Sequence, residues 1–564
     1  MKENQCLQME DAVTEQFFAS ISTMHEAACY LLEQDLGGGA QFDTVTRDLF
    51  TMAAKMECLL GEQLGSGYQD VSLTKILQSI KDTLSRLRIR KADAIYRLSK
   101  LQFELIPLIE ESFQHARYWL WAVTSPERMR QYREEVPSLC GNYYIDQAEE
   151  AGEYPYEAAF VVIGYNKLDY TKMCVESLLR NIPKELNYEL ILVNHGSSDG
   201  TREYFESIRP TKQLDIAVNG GGLDAVRRIW ESRFAVIISN DIVITHNTVQ
   251  NMLACIQSDP QIAWVVPTTP NTSNFQTIPV QYHSWEELEA FAKSNNQTNP
   301  FRWEQRTRLC DPIAVWRTAA FCGKDGVFDN SYLGAASEIA FPDDRRAVLL
   351  RRKGYKMMLA KDAYCHHFGS VTIKDDVAKE TEAGLYYRGR EAFFRTFGID
   401  PWGLGFCFDA AFMQRVVDEN HAHIEILGIN CGIGSNSLKI KEQLKEYWHN
   451  TDTKLWNIAD DPKFIPDLKG VSDETVKVAS IKEFQTFLEG KTFQYIVWEA
   501  PFLDAYPFKI VLNTCCKSIS FGGKLFLKTT EQSKRMIFQM QFERIDLGND
   551  WMTIFPNTHG GSSR

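Results

Sequence analysis

Glu189-Leu-Ile-Leu-Val-Asn-His-Gly-Ser-Ser-Asp-Gly-Thr201 joins a short apolar run to a polar turn punctuated by two glycines. Such a run, bounded by turn residues, reads as a strand buried on both faces. The stretch from Thr201 to Ile208 then reads as a helix. The pattern recurs on either side. Ala159-Phe-Val-Val-Ile163 precedes a helix around Tyr170–Leu179, and Phe234-Ala-Val-Ile-Ile238 is a third strand. Alternating strands and helices predict an α/β domain with a mostly parallel sheet, over 157–405. In open sheets of this kind ligands bind beyond the carboxyl ends of the strands. The residues after each strand are therefore candidates: Gly164-Tyr-Asn166, Asn194 through Thr201, and Ser239-Asn-Asp241.

Residues 1–135 have a different texture. Leu73, Ile76, Leu77, Ile80, Leu84 and Leu87 recur at i, i+3, i+4 steps, and Ile95, Leu98, Leu101 and Leu105 continue until Pro107. Phe17, Phe18, Ile21, Met24 and Ala28 form an earlier stripe, and Leu49, Met52, Met56 and Leu59 another. Four amphipathic helices with short connections predict an antiparallel bundle. The stripes read as its core, with a docking or homodimer face as the alternative. Residues 136–156, with Pro137, Gly141 and an acidic run, read as a linker. A second alternating block occupies 420–564. The fold class is thus α/β multidomain behind an N-terminal helical bundle.

The chain has 564 residues, 61 basic against 74 acidic, for a net charge of −13. That balance makes it a poor default binder of nucleic acid. Its apolar runs fall far short of the ~20 residues of a membrane span. Met1-Lys-Glu-Asn-Gln5 lacks the apolar core of a signal peptide. Thirteen scattered cysteines, with no C-x-x-C pair, read as reduced thiols and give no zinc spacing. A cytoplasmic protein is expected.

Seven motifs over 157–400 occur in the order found in the family-2 glycosyltransferases of the GT-A fold. Val161-Val-Ile-Gly-Tyr-Asn166 resembles their first strand and turn, and Leu192 through Thr201 resembles their LVDNGSSDGT. Asn219-Gly-Gly-Gly222 stands at their N-x-G loop, and Ser239-Asn-Asp-Ile-Val243 at their D-x-D motif. Gly326-Val-Phe-Asp329, Asp343-Asp-Arg345 with Arg351-Arg-Lys-Gly-Tyr355, and Asp362 through Thr372 resemble the closing motifs. The resemblance implies transfer of a sugar from a nucleotide-sugar donor to a glycan or protein acceptor. Its donor site would include Gly164, Tyr165, Asn166, Asn194, Gly221, Arg227, Asn240 and Asp241. Charge develops on the departing diphosphate, which a divalent cation offsets. Carboxylate and imidazole suit Mn²⁺ or Mg²⁺. The resemblance assigns Asp241 and His367, with neighbouring His366 as the alternative, as the ligands.

An inverting transfer also needs a base for the acceptor proton. Counting back eleven residues from Gly354 gives Asp343, whereas counting forward nine from Asp329 gives Glu338. The order of preference is Asp343, Asp344, Glu338. The competing reading has Asp343 and Asp344 open a helix and pair with Arg345, Arg346 or Arg351. Two positions depart from the family. Asn194 replaces an Asp that contacts the nucleobase, and Arg227 replaces an Asn.

His423-Ile-Glu-Ile-Leu-Gly-Ile-Asn-Cys-Gly-Ile-Gly-Ser435 is a strand entering a glycine-rich turn. It resembles motif I of the Rossmann-like methyltransferases that use S-adenosylmethionine. Gly432 and Gly434 remain from that motif, while Gly428 stands at its acidic position and Asn430 at its first glycine. On the second strand the ribose-binding acid is displaced: Ala459 is there, with Asp460 one place late. Gly432, Gly434 and Asp460 would form a S-adenosylmethionine site, but the missing acid argues against productive binding. A retired enzyme fold serving as a scaffold or acceptor platform is the expectation. A bifunctional sugar methyltransferase and a non-catalytic binding protein are the rival functions.

Overall fold

The computed structural model describes residues 2–34, 38–63, 72–121, 128, 154–216, 230–322, 341–369, 390, 393–394, 397–420, 422–502, 507–540 and 542–556. The chain divides into two compact units. One comprises Met1–Val243, Trp316–Ile339 and Phe368–Thr381; the other comprises Ile244–Val315, Ala340–His367 and Glu382–Arg564. The boundary runs inside the 157–405 segment, and most of the predicted linker lies outside the described residues.

The first unit opens with helices α1 (Lys2–Gln34), α2 (Ala40–Gln63), α3 (Ser72–Ile89), α4 (Ala94–Lys100) and α5 (Ile106–Ala116). The predicted stripes meet inside them: Phe17, Met24, Leu49, Met56, Ile76 and Leu84 belong to one buried core. Burial there makes these residues a core and not the dimer face that was their alternative. Asp93 caps α4, accepting the Tyr96 N–H at 3.0 Å. Pro107 does not end the helix. It has no N–H for the carbonyl four residues back, and the chain widens just before it into a π-turn, Leu101–Leu105, where the Ile106 N–H reaches the Leu101 carbonyl.

Beyond the bundle come β1 (Tyr156–Gly164), α6 (Leu168–Asn181), β2 (Tyr188–His195), α7 (Thr201–Ile208), β3 (Lys212–Ile216), β4 (Ser232–Ser239) and β5 (Ile242–Val243). The first four strands pair in parallel in the order β3-β2-β1-β4. The order reverses between β1 and β4, where Ile163 faces Ser239. Ligands of open α/β sheets sit at such a switch point.

The second unit holds α8 (Thr248–Gln257), β6 (Ile262–Thr268), α9 (Trp285–Asn295) and β7 (Trp303–Arg306). Strand β8 (Ile313–Arg317) carries the chain back to the first unit; α10 (Pro342–Arg352), β9 (Lys356–Tyr364) and β10 (His366–His367) follow. β9 runs parallel to β6 and antiparallel to β7. The same unit contains β11 (Ile424–Ile429), α11 (Ser435–Trp448), β12 (Thr453–Ala459), β13 (Glu474–Lys477), β14 (Phe493–Trp498), β15 (Ile519–Lys528), β16 (Glu543–Gly548) and β17 (Trp551–Phe555). These seven strands form one sheet, β13-β12-β11-β14-β15-β17-β16. All neighbours are parallel except at β17, which is antiparallel to both β15 and β16. The predicted second α/β block is therefore a doubly wound sheet.

Charged side chains fasten this sheet to the β6-β9-β7 segment. Glu304 on β7 is buried and meets Arg306 at 2.8 Å and Lys439 of α11 at 2.7 Å. Burial pushes the Glu304 carboxyl up, but Arg306, Lys439 and Lys361 hold it far below the usual carboxylate range. Arg351 of α10 meets Asp467 at 2.6 Å, with both side chains fully buried. Among the described residues no helix is long and apolar enough to cross a membrane. Ten cysteines, among them Cys29, Cys174, Cys431 and Cys515, are free thiols.

Candidate functional site

At the switch point, short polar side chains knit the turns together. Asn166 and Lys167, after β1, both adopt a left-handed backbone, with φ of 51° and 60°. The Asn166 N–H donates to Ser197 Oγ at 2.8 Å, and Asn166 Oδ1 accepts the Ser198 N–H at 2.9 Å. Asn240, after β4, donates to the Asn166 carbonyl at 3.0 Å and to Thr171 Oγ1 at 2.9 Å. Asp199 accepts from the Leu168 N–H and from Thr201. Burial pushes its carboxyl up, yet these donors hold it below the usual range. Gly164 allows close packing: a Cβ there would lie 3.1 Å from the Phe205 ring.

Asn194 is engaged at both ends of its amide. Its Oδ1 accepts the Ser197 N–H at 3.0 Å, and its Nδ2 donates to Asp215 Oδ1 at 3.0 Å. A carboxylate therefore stands next to the position where the family's Asp is missing. Sequence reading passed over Asp215, whose signal was an acid on β3 at the end of a short strand.

Asp241 is buried. The Phe368 N–H donates to its carbonyl at 3.1 Å, so the residue directly after His367 is bonded to the backbone of the acid. The Phe368 ring meets Tyr170 edge-on at 4.7 Å. On β10, successive side chains point to opposite faces. His366 is engaged by the Tyr282 hydroxyl and stands edge-on to the Trp285 ring at 5.9 Å. His367 is buried, and its Nδ1 donates to the Asn271 carbonyl at 2.5 Å. A carbonyl only accepts, so Nδ1 is the donor in this bond. A carboxylate and an imidazole are the donor types of Mn²⁺. Among the described residues no group of three or more His, Cys, Asp or Glu gathers by itself to hold a metal.

Asp343 and Asp344 open α10, where acids suit the helix N-terminus. Asp343 pairs with Arg346 at 2.5 Å, one of the partners expected in the competing reading. Asp344 is buried and pairs instead with Arg308 at 2.6 Å. Burial, opposed by Arg308 and assisted by Asp343, pushes Asp344 up to about 7. Arg346 also reaches Asp311 at 3.1 Å, so one guanidinium serves two carboxylates. Burial and the neighbouring Asp343 push Asp311 well above the usual range, against the pull of Arg346. Asp311 was missed because nothing in its Asp-Pro context links it to residues more than thirty positions away. Residues 159–315 match the model of glycosyl transferase family 2.

That match makes the segment a glycosyltransferase domain. No curated protein matches the chain. Among solved structures, GalNAc-T7 with UDP, GalNAc and Mn²⁺ is 10% identical, over 38% of this chain and 44% of that one, with a TM-score of 0.30. The mannosyltransferase PcManGT from Pyrobaculum calidifontis, in complex with GDP-Man and Mn²⁺, is 13% identical over 50% and 75%, with a TM-score of 0.29. S. aureus TarS 1-349 with UDP-GlcNAc is 15% identical over 43% and 74%, with a TM-score of 0.28. The glycosyltransferase motifs around Gly221, Arg227, Glu338, Gly326–Asp329 and Ser370–Thr372 lie outside the described residues.

The C-terminal glycine turn is occupied by the chain itself. A Cβ on Gly432, whose φ is 56°, would lie 2.0 Å from the Leu404 carbonyl oxygen. A Cβ on Gly405 would lie 2.2 Å from the Cys431 carbonyl oxygen. Gly434, with φ 93°, packs on Leu468 and Val471. Asp460 follows β12, its N–H donating to Asn430 Oδ1 at 3.2 Å.

Proposed function

We propose that the protein is a metal-dependent, inverting glycosyltransferase. It takes a sugar from a nucleoside-diphosphate donor and gives it to a surface-glycan precursor or a protein acceptor in the bacterial cytoplasm. The observation that carries the reading is the match of residues 159–315 to the model of glycosyl transferase family 2. Asp241 and His367 would hold Mn²⁺ or Mg²⁺, which would supply countercharge for the outgoing diphosphate. Gly164, Tyr165, Asn166, Asn194 and Asn240, with Gly221 and Arg227, would frame the nucleotide. Asp343 would accept the proton of the acceptor hydroxyl, with Asp344 and Glu338 next in order. Asp343, on the exposed side of its pair with Arg346, suits that role, whereas Asp344 is buried against Arg308. The matched family model supports the chemistry, and the donor types at Asp241 and His367 support the metal.

The C-terminal domain is best read as a scaffold with a methyltransferase-type sheet. Its strand order supports that ancestry, and the backbone pressed into the Gly432 turn speaks against a bound S-adenosylmethionine. Millimolar S-adenosylmethionine should leave the thermal midpoint of the full chain unchanged; a rise would restore the bifunctional reading. The deciding experiment is nucleotide release from a panel of nucleotide sugars with Mn²⁺. Turnover should appear with one donor, stop with chelator and be lost in Asp241→Ala. A panel inert throughout would replace the enzyme with a glycan- or partner-binding protein.

A further inference from the structure

Glu104, in the π-turn of the bundle, is one of the most buried charges of the first unit. Its Oε1 accepts from Thr83 Oγ1 at 2.5 Å and from Arg202 of α7 at 2.6 Å, and it also pairs with Arg86 of α3. Its Oε2 lies 2.8 Å from Lys100. The same two cations continue outward. Arg202 lies 3.3 Å and Lys100 3.7 Å from Asp215 Oδ2 on β3, and both approach Glu206 of α7. Three cations thus balance three carboxylates, and only Glu206 is substantially exposed. The other oxygen of Asp215 accepts from Asn194. Asn194 in turn fixes the Ser197 N–H, and Ser197 receives the Asn166 N–H. A continuous polar chain therefore runs from the bundle to the turn where a nucleotide would lie.

We propose that the N-terminal bundle is a donor-recognition element, with Glu104 a positioning residue that acts through Arg202 on Asp215 and Asn194 to set the nucleobase end of the site. The inference rests on the nucleotide-sugar reading. A bundle that only supported the fold could have docked on β3 through apolar contacts. Instead, ions buried at the contact reward one geometry, since a displaced partner leaves an uncompensated charge. Removing the Asp that the family places at 194 leaves an amide that cannot orient itself; Asp215, held from the bundle side, orients it.

The test uses the full chain with Mn²⁺. Arg202→Met and Glu104→Gln should each raise the donor KM about tenfold, within the range of coupling through packed networks, and leave kcat within about twofold. Calorimetric binding of UDP and of GDP should weaken by the same factor for whichever of them binds. Arg202→Lys should recover part of the loss. Because Arg202 is partly exposed, its variants report even where Glu104→Gln does not fold. A lowered thermal midpoint with unchanged KM and nucleotide affinity would make the contact merely structural and overturn the inference alone. A wild-type chain that binds neither nucleotide would overturn the reading beneath it as well.

Discussion

The turn after β1 and the turn after β11 start alike, each a glycine-containing loop leaving a strand buried in a parallel sheet, and they differ in what fills the space above them. After β1, the atoms nearest a Cβ on Gly164 would be side-chain atoms, of Phe205 and Thr201. The polar groups there bond to each other across the switch point. After β11, a Cβ on Gly432 would collide with the backbone of residues 404 and 405. Both positions need glycine for close approach, but the approaching group is a side chain in the first and backbone in the second. A glycine-rich turn is thus evidence of crowding, and only the neighbours say whether a ligand or a polypeptide does the crowding.

The largest expected effect is on catalysis. Asp343→Asn should lower kcat by about 10²–10⁴, the usual contribution of a general base, with the thermal midpoint near wild type. Asp344→Asn should cost far less activity, because its carboxylate is buried against Arg308. Steady-state rates of both variants would show whether the preference for Asp343 stands; equal losses would remove it.

Next come the two glycines. Gly432→Ala combines a left-handed φ with a 2.0 Å backbone contact, and should destabilise the C-terminal domain by about 3 kcal/mol or more. Gly164→Ala, facing the movable Phe205 ring, should cost about 1 kcal/mol. Urea unfolding separates the two. If Gly432→Ala folds with wild-type stability, the turn is open and the contrast between the crevices fails.

Much of this was legible beforehand. Runs such as Phe234–Ile238 have no alternative to burial, so strands, helices and both α/β blocks could be read from apolar patterning. Asp241 and His367 were named from seven motifs in their expected order, and remain proposals. What could not be read was pairing at long range. The choice of Arg308 over Arg345 or Arg351 as the partner of Asp344, and the sharing of Arg346 between Asp311 and Asp343, depend on tertiary approach alone. The engaged Asn194 is similar: its residue type announces hydrogen bonding, but not that Asp215 takes one end. The stripes of the bundle could not distinguish a core from a docking face until their burial was seen.

The smallest effect tests what remains in the second crevice. Glu499 follows β14, the neighbour of β11, and is buried with one carboxylate oxygen lacking a hydrogen bond among the described residues. Burial, opposed by Asn436 and Lys528, pushes it up to about 7. An unfolded glutamate titrates at about 4.3. The folded chain therefore holds a proton that the unfolded chain has released, and this contribution to stability is complete below the unfolded pKa and lost as pH rises through about 7. Between about pH 6 and pH 8 the wild type should lose about 1 kcal/mol from this group. Glu499→Gln should abolish that slope and match the stability of the wild type only near or below the unfolded pKa, at about pH 4. Urea unfolding of both proteins at the two pH values reads the difference. An unchanged slope would mean that a neighbouring cation neutralises Glu499, and that the second crevice is as well satisfied electrostatically as the first.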